Sequence, residues 1–231
     1  MNMSFQKSSP TIVQPSVSLL ASTPSPERLV LNAARLCWKS GEAGETELSP
    51  SDLTLLETLK RSGHHSPFEH VSFTFLIKNI SRVASHQLVR HRLASYTQQS
   101  FRYTEPDSAY VLPEALLSEK VKEKVLKAIE ENKHLYSELV DAGVPKEDAR
   151  YLFMPAGTSD IVVTMNAREL LHFFTVRTCQ RAQFEIRTIA EAMLLLCREK
   201  APNLFSDAGP NCVRGECKER YSCRKERQTN P

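Results

Sequence analysis

Glycine is scarce in this chain, which has 231 residues but only seven glycines, at positions 41, 44, 63, 143, 157, 209 and 215. Neither G-x-G-x-x-G nor G-x-x-x-x-G-K-[ST] can be written with these positions. Both motifs need glycine because the backbone must approach phosphate groups closely. The sequence therefore argues against a dinucleotide-binding Rossmann domain and against a P-loop NTPase. Any nucleotide that binds must be held by side chains.

Long apolar runs are also lacking, since no stretch approaches the ~18 consecutive apolar residues of a membrane span. The first twenty residues contain a single lysine and no continuous apolar segment, which argues against a signal peptide. Six cysteines in a chain of this length do not make a secreted disulfide scaffold. We therefore expect a cytoplasmic protein.

An excess of charge of one sign is missing as well. Lysine and arginine number 30, aspartate and glutamate 27, and the net charge is +3, so bulk charge does not identify a partner. The hydrophobic fraction of 41% is that of an ordinary globular protein. We predict one domain over residues 1–231, with an extended lead-in over 1–26 and a mobile tail over 216–231.

Hydrophobic periodicity and capping signals predict a mixture of helices and strands. Ser49 is predicted to cap a helix that stops at Gly63, and the apolar residues of 71–80 alternate on one face of a half-buried strand. Helices are expected over 27–39, 49–62, 113–142, 145–153, 167–178 and 182–200, and another, capped by Ser81, is expected to run into Arg90, His91 and Arg92. Strands are expected near 11–19, 71–80 and 159–165, and a loop over 40–48. Because helices and strands alternate irregularly, the predicted fold class is α+β rather than a doubly wound parallel sheet.

The densest polar cluster spans residues 87–103 and contains three arginines, one histidine, two serines and three glutamines. The planar donor fork of arginine suits phosphate, and Ser, Thr and Gln add donors and acceptors suited to the edge of a pyrimidine. The alternatives are a solvated basic loop and a phosphate patch for nucleic acid. The apolar strand and helix that precede the cluster make a fully exposed loop the weaker interpretation.

A second cluster, residues 64–70, has the sequence HHSPFEH. His64, His65, Glu69 and His70 could form the metal site of a hydrolase, although their spacing is not H-E-x-x-H and no cysteine is near. Neutral histidines beside an aromatic ligand fit equally well. Cys212, Cys217 and Cys223 form another weak zinc candidate, because they lack a fourth ligand or a neighbouring histidine. We predict no metal.

A third cluster lies on the helix predicted over 167–178. Arg168 and His172 share one face, whereas Arg177 falls in the arc of the apolar residues. A cation on an apolar face is costly unless it meets an anion or a polarisable ligand. The alternatives are that Arg177 extends to the surface or pairs with a buried carboxylate such as Glu185. Arg177 is therefore the residue whose position most requires a partner.

The segment Arg90-His91-Arg92-x-x-Ser95-x-Thr97-x-x-Ser100-x-Arg102 resembles the fingerprint RHRxxSx(N/S)xxSxR of the flavin-dependent thymidylate synthases. Supporting segments fall in the order expected for that family: His64-x-Ser66-x-x-Glu69-His70, Gln87, Arg150, Asn166-Ala167-Arg168, His172 and Arg177. The resemblance covers about residues 63–215. Thr97 departs from the commoner Asn or Ser, but its hydroxyl is expected to preserve most of the polar contact.

The resemblance implies an α+β fold with a mixed sheet-and-helix core and flanking helices. It also implies a homotetramer whose active sites are built from several subunits. The family methylates dUMP to dTMP, with 5,10-methylenetetrahydrofolate as the carbon donor, FAD as the hydride relay and NADPH as the reductant. Carried over by position, the residues that contact dUMP are Gln87, Arg90, Gln98, Gln99, Ser100, Arg102, Arg150 and Arg177. Those that contact or lie beside the flavin are His64, Ser66, Arg90, His91, Arg92, Gln98, Asn166, Arg168 and His172.

Two of these residues receive specific expectations. Activation of the pyrimidine at C5 requires stabilisation of negative charge across N3 and O4, and a cation in an apolar setting supplies it well. We assign that catalytic role to Arg177. Ser100 is expected to be a hydrogen-bonding ligand contact, because a nucleophilic serine needs an activating base and the sequence does not place one.

Overall fold

A computed structural model describes residues 9–38, 48–215 and 217. These residues fold into two compact units. Unit 1 contains the chain up to Ser16, Ile77–Arg90 and Tyr96–Val162, and unit 2 contains Val17–Leu76, His91–Ser95 and the chain from Val163 onward. Nearly all of the predicted loop 40–48, residues 1–8 of the predicted lead-in, Cys223 and all of the predicted tail except Cys217 lie outside the described residues.

Strands and helices are interspersed along the chain. The strands are β1 (Thr11–Ile12), β2 (Ser16–Ser22), β3 (Ser72–Ser81), β4 (Ala94–Gln98), β5 (Ala109–Tyr110) and β6 (Thr158–Asn166). The α-helices are α1 (Pro26–Trp38), α2 (Pro50–Ser62), α3 (Arg82–Leu88), α4 (Lys122–Asp141), α5 (Lys146–Ala149), α6 (Ala167–Arg177), α7 (Phe184–Lys200) and α8 (Asn211–Arg214). Short 3₁₀ helices cover Ser66–His70, Glu114–Leu117 and Arg150–Leu152. This mixture confirms the predicted α+β class.

The strands form two sheets. The larger has the strand order β2-β3-β6-β4, and the smaller pairs β1 with β5 in parallel. In β3 the predicted alternation is observed, because Phe73, Phe75 and Ile77 are fully buried and the residues between them are half-buried. Among the described residues, no helix is long and apolar enough to span a bilayer.

Unit 2 is held by an aromatic core and by well-capped helices. The ring of Phe205 meets Phe73 and Phe174 edge-on, with centroids 5.6 and 5.9 Å away. Helix α2 begins with the predicted cap, in which Ser49 and Asp52 bond each other's backbone N–H groups. It ends at Gly63, whose φ of 74° lies in the left-handed region that favours glycine.

Unit 1 carries the second set of apolar contacts. Tyr110, Leu112 and Ile129 form a buried cluster, and Tyr136 packs on Ala149 in another. Helix α3 begins as predicted, with the Ser81 hydroxyl accepting a hydrogen bond from the N–H of Ala84 at 3.1 Å. These contacts fix the start of α3 and the segments that follow β4 and β5.

Several predicted boundaries are wrong. Residues 113–142 are not one helix, because the carbonyl of Ser118 accepts from the N–H groups of Val121 and Lys122 in a turn, and α4 begins only at Lys122. The helix after Ser81 ends at Leu88, so Arg90 lies outside it. The strand near 11–19 is two strands, interrupted around Pro15, which has no N–H to donate.

Candidate active site

A cavity of about 880 Å³ opens in unit 1. It brings together four of the residues predicted to contact dUMP, namely Gln98, Gln99, Ser100 and Arg150. Three polar residues that the sequence did not single out also line it: Arg82, His86 and Tyr151. Phe101, Phe153 and Pro155 contribute an apolar wall. The cavity is thus lined by polar and charged side chains together with aromatic ones, a combination that suits a base linked to a charged group.

The glutamines of this cavity are fixed by hydrogen bonds to β6. Gln98 donates from Nε2 to the Ser159 hydroxyl at 2.8 Å. The backbone N–H of Gln99 donates to the carbonyl of Asp160 at 2.9 Å, and its side-chain oxygen accepts from the N–H of Asp160 at 3.3 Å. The strand β4, which was not predicted, therefore delivers the polar segment to the cavity in a defined position.

Two guanidinium groups lie on the same cavity. Burial lowers the pKa of Arg82, and the positive charge of Arg150 lowers it further. The guanidinium carbon of Arg82 lies 5.8 Å from the ring centroid of Phe101, and Arg150 donates from Nε to the carbonyl of Glu147 at 3.0 Å. Among the described residues, no carboxylate forms an ion pair with either arginine. Two cations in this arrangement favour a bound anion.

The other residues predicted to contact dUMP do not line this cavity. They are Gln87, Arg90, Arg102 and Arg177. Arg102 pairs with Glu147, with Nε and Nη2 at 3.1 and 3.0 Å from the same carboxylate oxygen. Arg90 is exposed at the turn after α3, and Gln87 donates to the carbonyl of Val83 at 3.4 Å.

A second cavity, of about 540 Å³, lies in unit 2. It brings together three of the predicted flavin residues, His64, Ser66 and Arg168. Gly63 positions the two from the 64–70 segment, because its left-handed backbone turns the chain out of α2 and into the 3₁₀ helix at Ser66. Arg168 projects from the first turn of α6 and is hydrogen-bonded to Glu69. Cys37 lines this cavity too, a position that no sequence pattern had indicated.

The remaining flavin predictions are distributed around the start and middle of α6. Asn166 caps α6, its side-chain oxygen accepting from the N–H of Glu169 at 2.9 Å. His172 is exposed, with its ring centroid 5.7 Å from that of His91. Arg92 is exposed after His91, and neither Arg92 nor His172 lines the cavity of unit 2.

His91 is the centre of a buried polar cluster in unit 2. Its Nδ1 lies 2.9 Å from Oε1 of Glu169, and its Nε2 accepts from Nε of Arg177 at 3.1 Å. Burial lowers the pKa of His91, and Arg177 and His172 act in the same direction, whereas the hydrogen bond and charge of Glu169 oppose them. Burial also lowers the pKa of Arg177. Arg177 thus has His91 as a hydrogen-bond partner, a pairing that the sequence did not indicate.

No metal centre emerges from the part of the chain that the structure describes. There, no group of three His, Cys, Asp or Glu side chains could hold a metal ion. Within the 64–70 segment, Glu69 is instead engaged by Arg168. The third cysteine of the weak zinc candidate, Cys223, lies outside the described residues.

Comparisons with known proteins relate this chain to one family. The family described as thymidylate synthase complementing protein matches residues 18–203. The flavin-dependent thymidylate synthase of Geobacter sulfurreducens is 48% identical over 210 residues, covering 88% of this chain and 90% of that protein. The enzyme of the same name from Nitratidesulfovibrio vulgaris is 44% identical, covering 91% and 94%.

A solved structure is similar as well. The UMP/dUMP methylase PolB from Streptomyces cacaoi, bound with 5-Br dUMP, superposes with a TM-score of 0.76 at 28% identity, covering 84% of this chain and 95% of that one. Sequence and fold therefore agree on one relationship. The chain belongs to the flavin-dependent thymidylate synthase family.

Proposed function

We propose that the chain is a thymidylate synthase that methylates dUMP to dTMP, taking its carbon from 5,10-methylenetetrahydrofolate and its hydride from FAD that NADPH reduces. The observation that carries the proposal is the cavity of unit 1, where Arg82 and Arg150 lie with Gln98, Gln99 and Ser100. Cations for a phosphate and amides for a base are the groups that a pyrimidine nucleotide requires.

In this proposal the phosphate of dUMP binds the guanidinium groups. Arg82 and Arg150 have no carboxylate partner among the described residues, so an anion can bind without first displacing a carboxylate from them. Arg102 would join them after its exposed ion pair with Glu147 opens, which costs little because both side chains are about half exposed. Gln98, Gln99 and Ser100 would then bond the sugar and the carbonyl and imide groups of the base.

The cavity of unit 2 fits part of a flavin cofactor. It is lined by the polar residues His64, Ser66 and Arg168 and by apolar residues that include Ala34 and Leu59. This combination suits an aromatic group joined to phosphates. Bound FAD would supply the hydride that the methyl group needs. The residues proposed to hold it are His64, Ser66, Arg90, His91, Arg92, Gln98, Asn166, Arg168 and His172.

The surroundings of His91 limit which of its atoms can contact the flavin. Both ring nitrogens have partners within the protein, Glu169 and Arg177. A contact with the flavin would therefore use the backbone of His91, and the side chain would act on Arg177 instead.

Arg177 is proposed to stabilise the negative charge that develops on the pyrimidine. Its side chain is half-buried and burial lowers its pKa, which is the setting where a fixed cation acts strongly on a developing charge. The family resemblance implies sites shared among subunits of a homotetramer. The residues that complete the site around Arg177 can therefore come from another copy of the chain.

The tetramer, the use of NADPH and folate, and a cytoplasmic location are parts of this proposal. The tetramer and the co-substrates follow from the family resemblance, and the location follows from the sequence features described above. The requirement for the two co-substrates can be measured directly.

The test uses the purified full chain. We expect a yellow protein with a flavin spectrum, which converts dUMP to dTMP only when methylenetetrahydrofolate and NADPH are both present. A colourless protein that stays inactive after addition of FAD would overturn the proposal. Stoichiometric zinc or iron would revive the hydrolase hypothesis, and affinity for long nucleic acid far above that for dUMP would favour the nucleic-acid hypothesis.

The role of Arg177 has its own test. Arg177→Ala is expected to abolish turnover while FAD stays bound. Loss of the flavin from this variant would reject the assigned role.

A further inference from the structure

Helix α6 carries Glu169, Phe173 and Arg177 at intervals of four residues, so that the three side chains lie close together along one side of the helix. The imidazole of His91 lies across them. Its ring meets Phe173 edge-on, with centroids 4.9 Å apart, and its two nitrogens reach Glu169 on one side and Arg177 on the other. His91 thus links the two charged residues at opposite ends of this row.

The direction of the hydrogen bonds follows from the chemistry of the two ends. An ionised carboxylate can only accept a hydrogen bond, so the Nδ1 of His91 must carry the proton that meets Glu169. A guanidinium can only donate, so the Nε2 of His91 must offer a lone pair to Nε of Arg177. Both requirements are met by one tautomer of the neutral ring, with the proton on Nδ1.

Resting on the proposed function, we infer that Glu169 is a positioning residue: it keeps the proton of His91 on Nδ1, and the lone pair on Nε2 then holds the guanidinium of Arg177 in its working orientation. Glu169 touches no substrate in this scheme and acts only through His91. Without the carboxylate, His91 can adopt the other neutral tautomer, with its proton on Nε2. The N–H of Nε2 would then point at the N–H of Arg177, and no hydrogen bond could form between them.

The charged and titratable groups that surround His91 are consistent with a neutral ring. Glu169, His172 and Arg177 of α6 all act on it, and burial and Arg177 lower its pKa more than Glu169 raises it. His91 and Glu169 are each only 6% exposed, so the hydrogen bonds between them are shielded from water. Acid that protonates His91 would remove the acceptor and place a cation against Arg177.

The inference can be tested without any activity. Nitrogen NMR of the holoenzyme with ¹⁵N-labelled histidine distinguishes the two neutral tautomers of the imidazole. We expect the Nδ1–H form for His91 in the unaltered protein, and a mixture of both forms in Glu169→Gln, because an amide can either accept or donate. An Nε2–H form in the unaltered protein would overturn the inference even if the protein makes dTMP.

Kinetics supply the second measurement. Glu169→Gln is expected to lower kcat about 10- to 100-fold, with the flavin content, the melting temperature and the KM for dUMP close to those of the unaltered protein. In the pH profile of Glu169→Gln, the fall of kcat at low pH should occur at a lower pH than in the unaltered protein. The reason is that the carboxylate no longer raises the pKa of His91. Glu191→Gln, at an exposed position of α7, is the matched control and should change neither kcat nor the pH at which kcat falls.

The combined results distinguish a positioning role of Glu169 from a merely structural one. A Glu169→Gln protein with unaltered kcat would overturn the inference, and so would a loss confined to stability or to flavin content. If Glu169→Gln does not fold, the tautomer of His91 in the unaltered protein still supports or overturns the inference. If the holoenzyme shows the Nδ1–H form but does not convert dUMP, the proposed function fails. The hydrogen-bonded arrangement of Glu169, His91 and Arg177 is then still supported.

Discussion

Arg82 and Arg150 lie on one cavity, and the charge of Arg150 lowers the pKa of Arg82. Two guanidinium groups on one cavity, with no carboxylate paired to either among the described residues, repel each other and are destabilising unless an anion binds. Arg82 stands at the start of α3, directly after the Ser81 that caps it. The cavity therefore takes its second cation, besides Arg150, from the start of α3 and not from the 87–103 cluster.

Arg82→Gln is expected to raise the KM for dUMP about 10-fold or more, because a hydrogen bond to a charged group contributes about 1.5 to 3 kcal/mol. Steady-state kinetics at several salt concentrations measure the effect, and the salt dependence of the KM should weaken in the variant. Arg61→Gln is the control, since Arg61 is exposed and, within the part of the chain that the structure describes, forms its ion pair with Glu57 on its own helix. An unchanged KM would show that Arg82 does not bind the nucleotide.

Glu147→Gln should strengthen nucleotide binding. The Glu147 carboxylate holds Arg102 in an exposed ion pair, and phosphate must compete with it. Because such pairs contribute about 0 to 1 kcal/mol, we expect dUMP affinity to rise by up to about 5-fold. Glu131→Gln, which removes the exposed pair with Lys127, is the control. Weaker binding in Glu147→Gln would show that Glu147 supports the nucleotide site rather than competing with it.

Ser100→Ala should retain turnover. The hydroxyl of Ser100 accepts a long hydrogen bond of 3.4 Å from the N–H of Arg102, a contact that does not activate it. We therefore expect the KM for dUMP to rise about 2- to 10-fold, the loss of one neutral hydrogen bond, with kcat little changed. A loss of about a millionfold in kcat, the size expected when a serine nucleophile is removed, would contradict this assignment.

Asp52→Asn is expected to destabilise the protein by about 2 kcal/mol at neutral pH. The hydrogen bond from the Ser49 hydroxyl lowers the pKa of Asp52, burial opposes it, and Arg35, 2.5 Å away, adds to the lowering. A carboxyl whose pKa is lower in the folded than in the unfolded state stabilises the protein above the unfolded value of about 3.9 and loses that effect as pH falls through the folded value.

Urea unfolding of Asp52→Asn at a series of pH values measures this. The difference from the unaltered protein should be full at pH 6 and shrink below about pH 4. Asp107→Asn, at an exposed position, should show little difference at any pH. A difference that is independent of pH would mean that the cap geometry, and not the charge, is responsible.

Tyr110→Phe should leave the free energy of unfolding unchanged or raise it by about 1 kcal/mol. The Tyr110 hydroxyl is buried and has no hydrogen-bond partner among the described residues, and burial, with the charge of Glu130, raises its pKa to about 12. Removing an unsatisfied polar atom relieves its desolvation cost. Thermal unfolding measures the effect, with the exposed Tyr103→Phe as the control. A drop of more than about 1 kcal/mol would reveal a hydrogen bond that the Tyr110 hydroxyl makes in solution.

Sequence signals predicted correctly those structural features that depend only on residues close together in the chain. The cap at Ser49, the stop at Gly63 and the alternation in β3 depend on neighbours within a few residues, and the structure confirms all three. The helix predicted over 113–142 was wrong because apolar spacing alone does not register the turn that Ser118 closes. The strand β4 was missed because its residues are polar and only half-buried on one face.

The fingerprint predicts which residues belong to the candidate site, but it does not predict the contacts that they make. The fingerprint identified His91 and Arg177, yet their hydrogen bond joins positions 86 residues apart in sequence. Arg82 and Glu169 were not singled out, because each is an ordinary charged residue until a cavity or a buried imidazole lies beside it. Sequence spacing indicates which face of a helix a residue occupies, but not what packs against that face.

The aromatic contact between Phe73 and Phe205 has a consequence for synthesis on the ribosome. The two residues are about 130 positions apart, so at 5 to 20 residues per second the apolar strand around Phe73 waits roughly 7 to 26 seconds for its partner to emerge. During that interval Phe73 lacks the ring that meets it edge-on. The aromatic core of unit 2 can therefore close around Phe73 only after the chain has been made beyond residue 205.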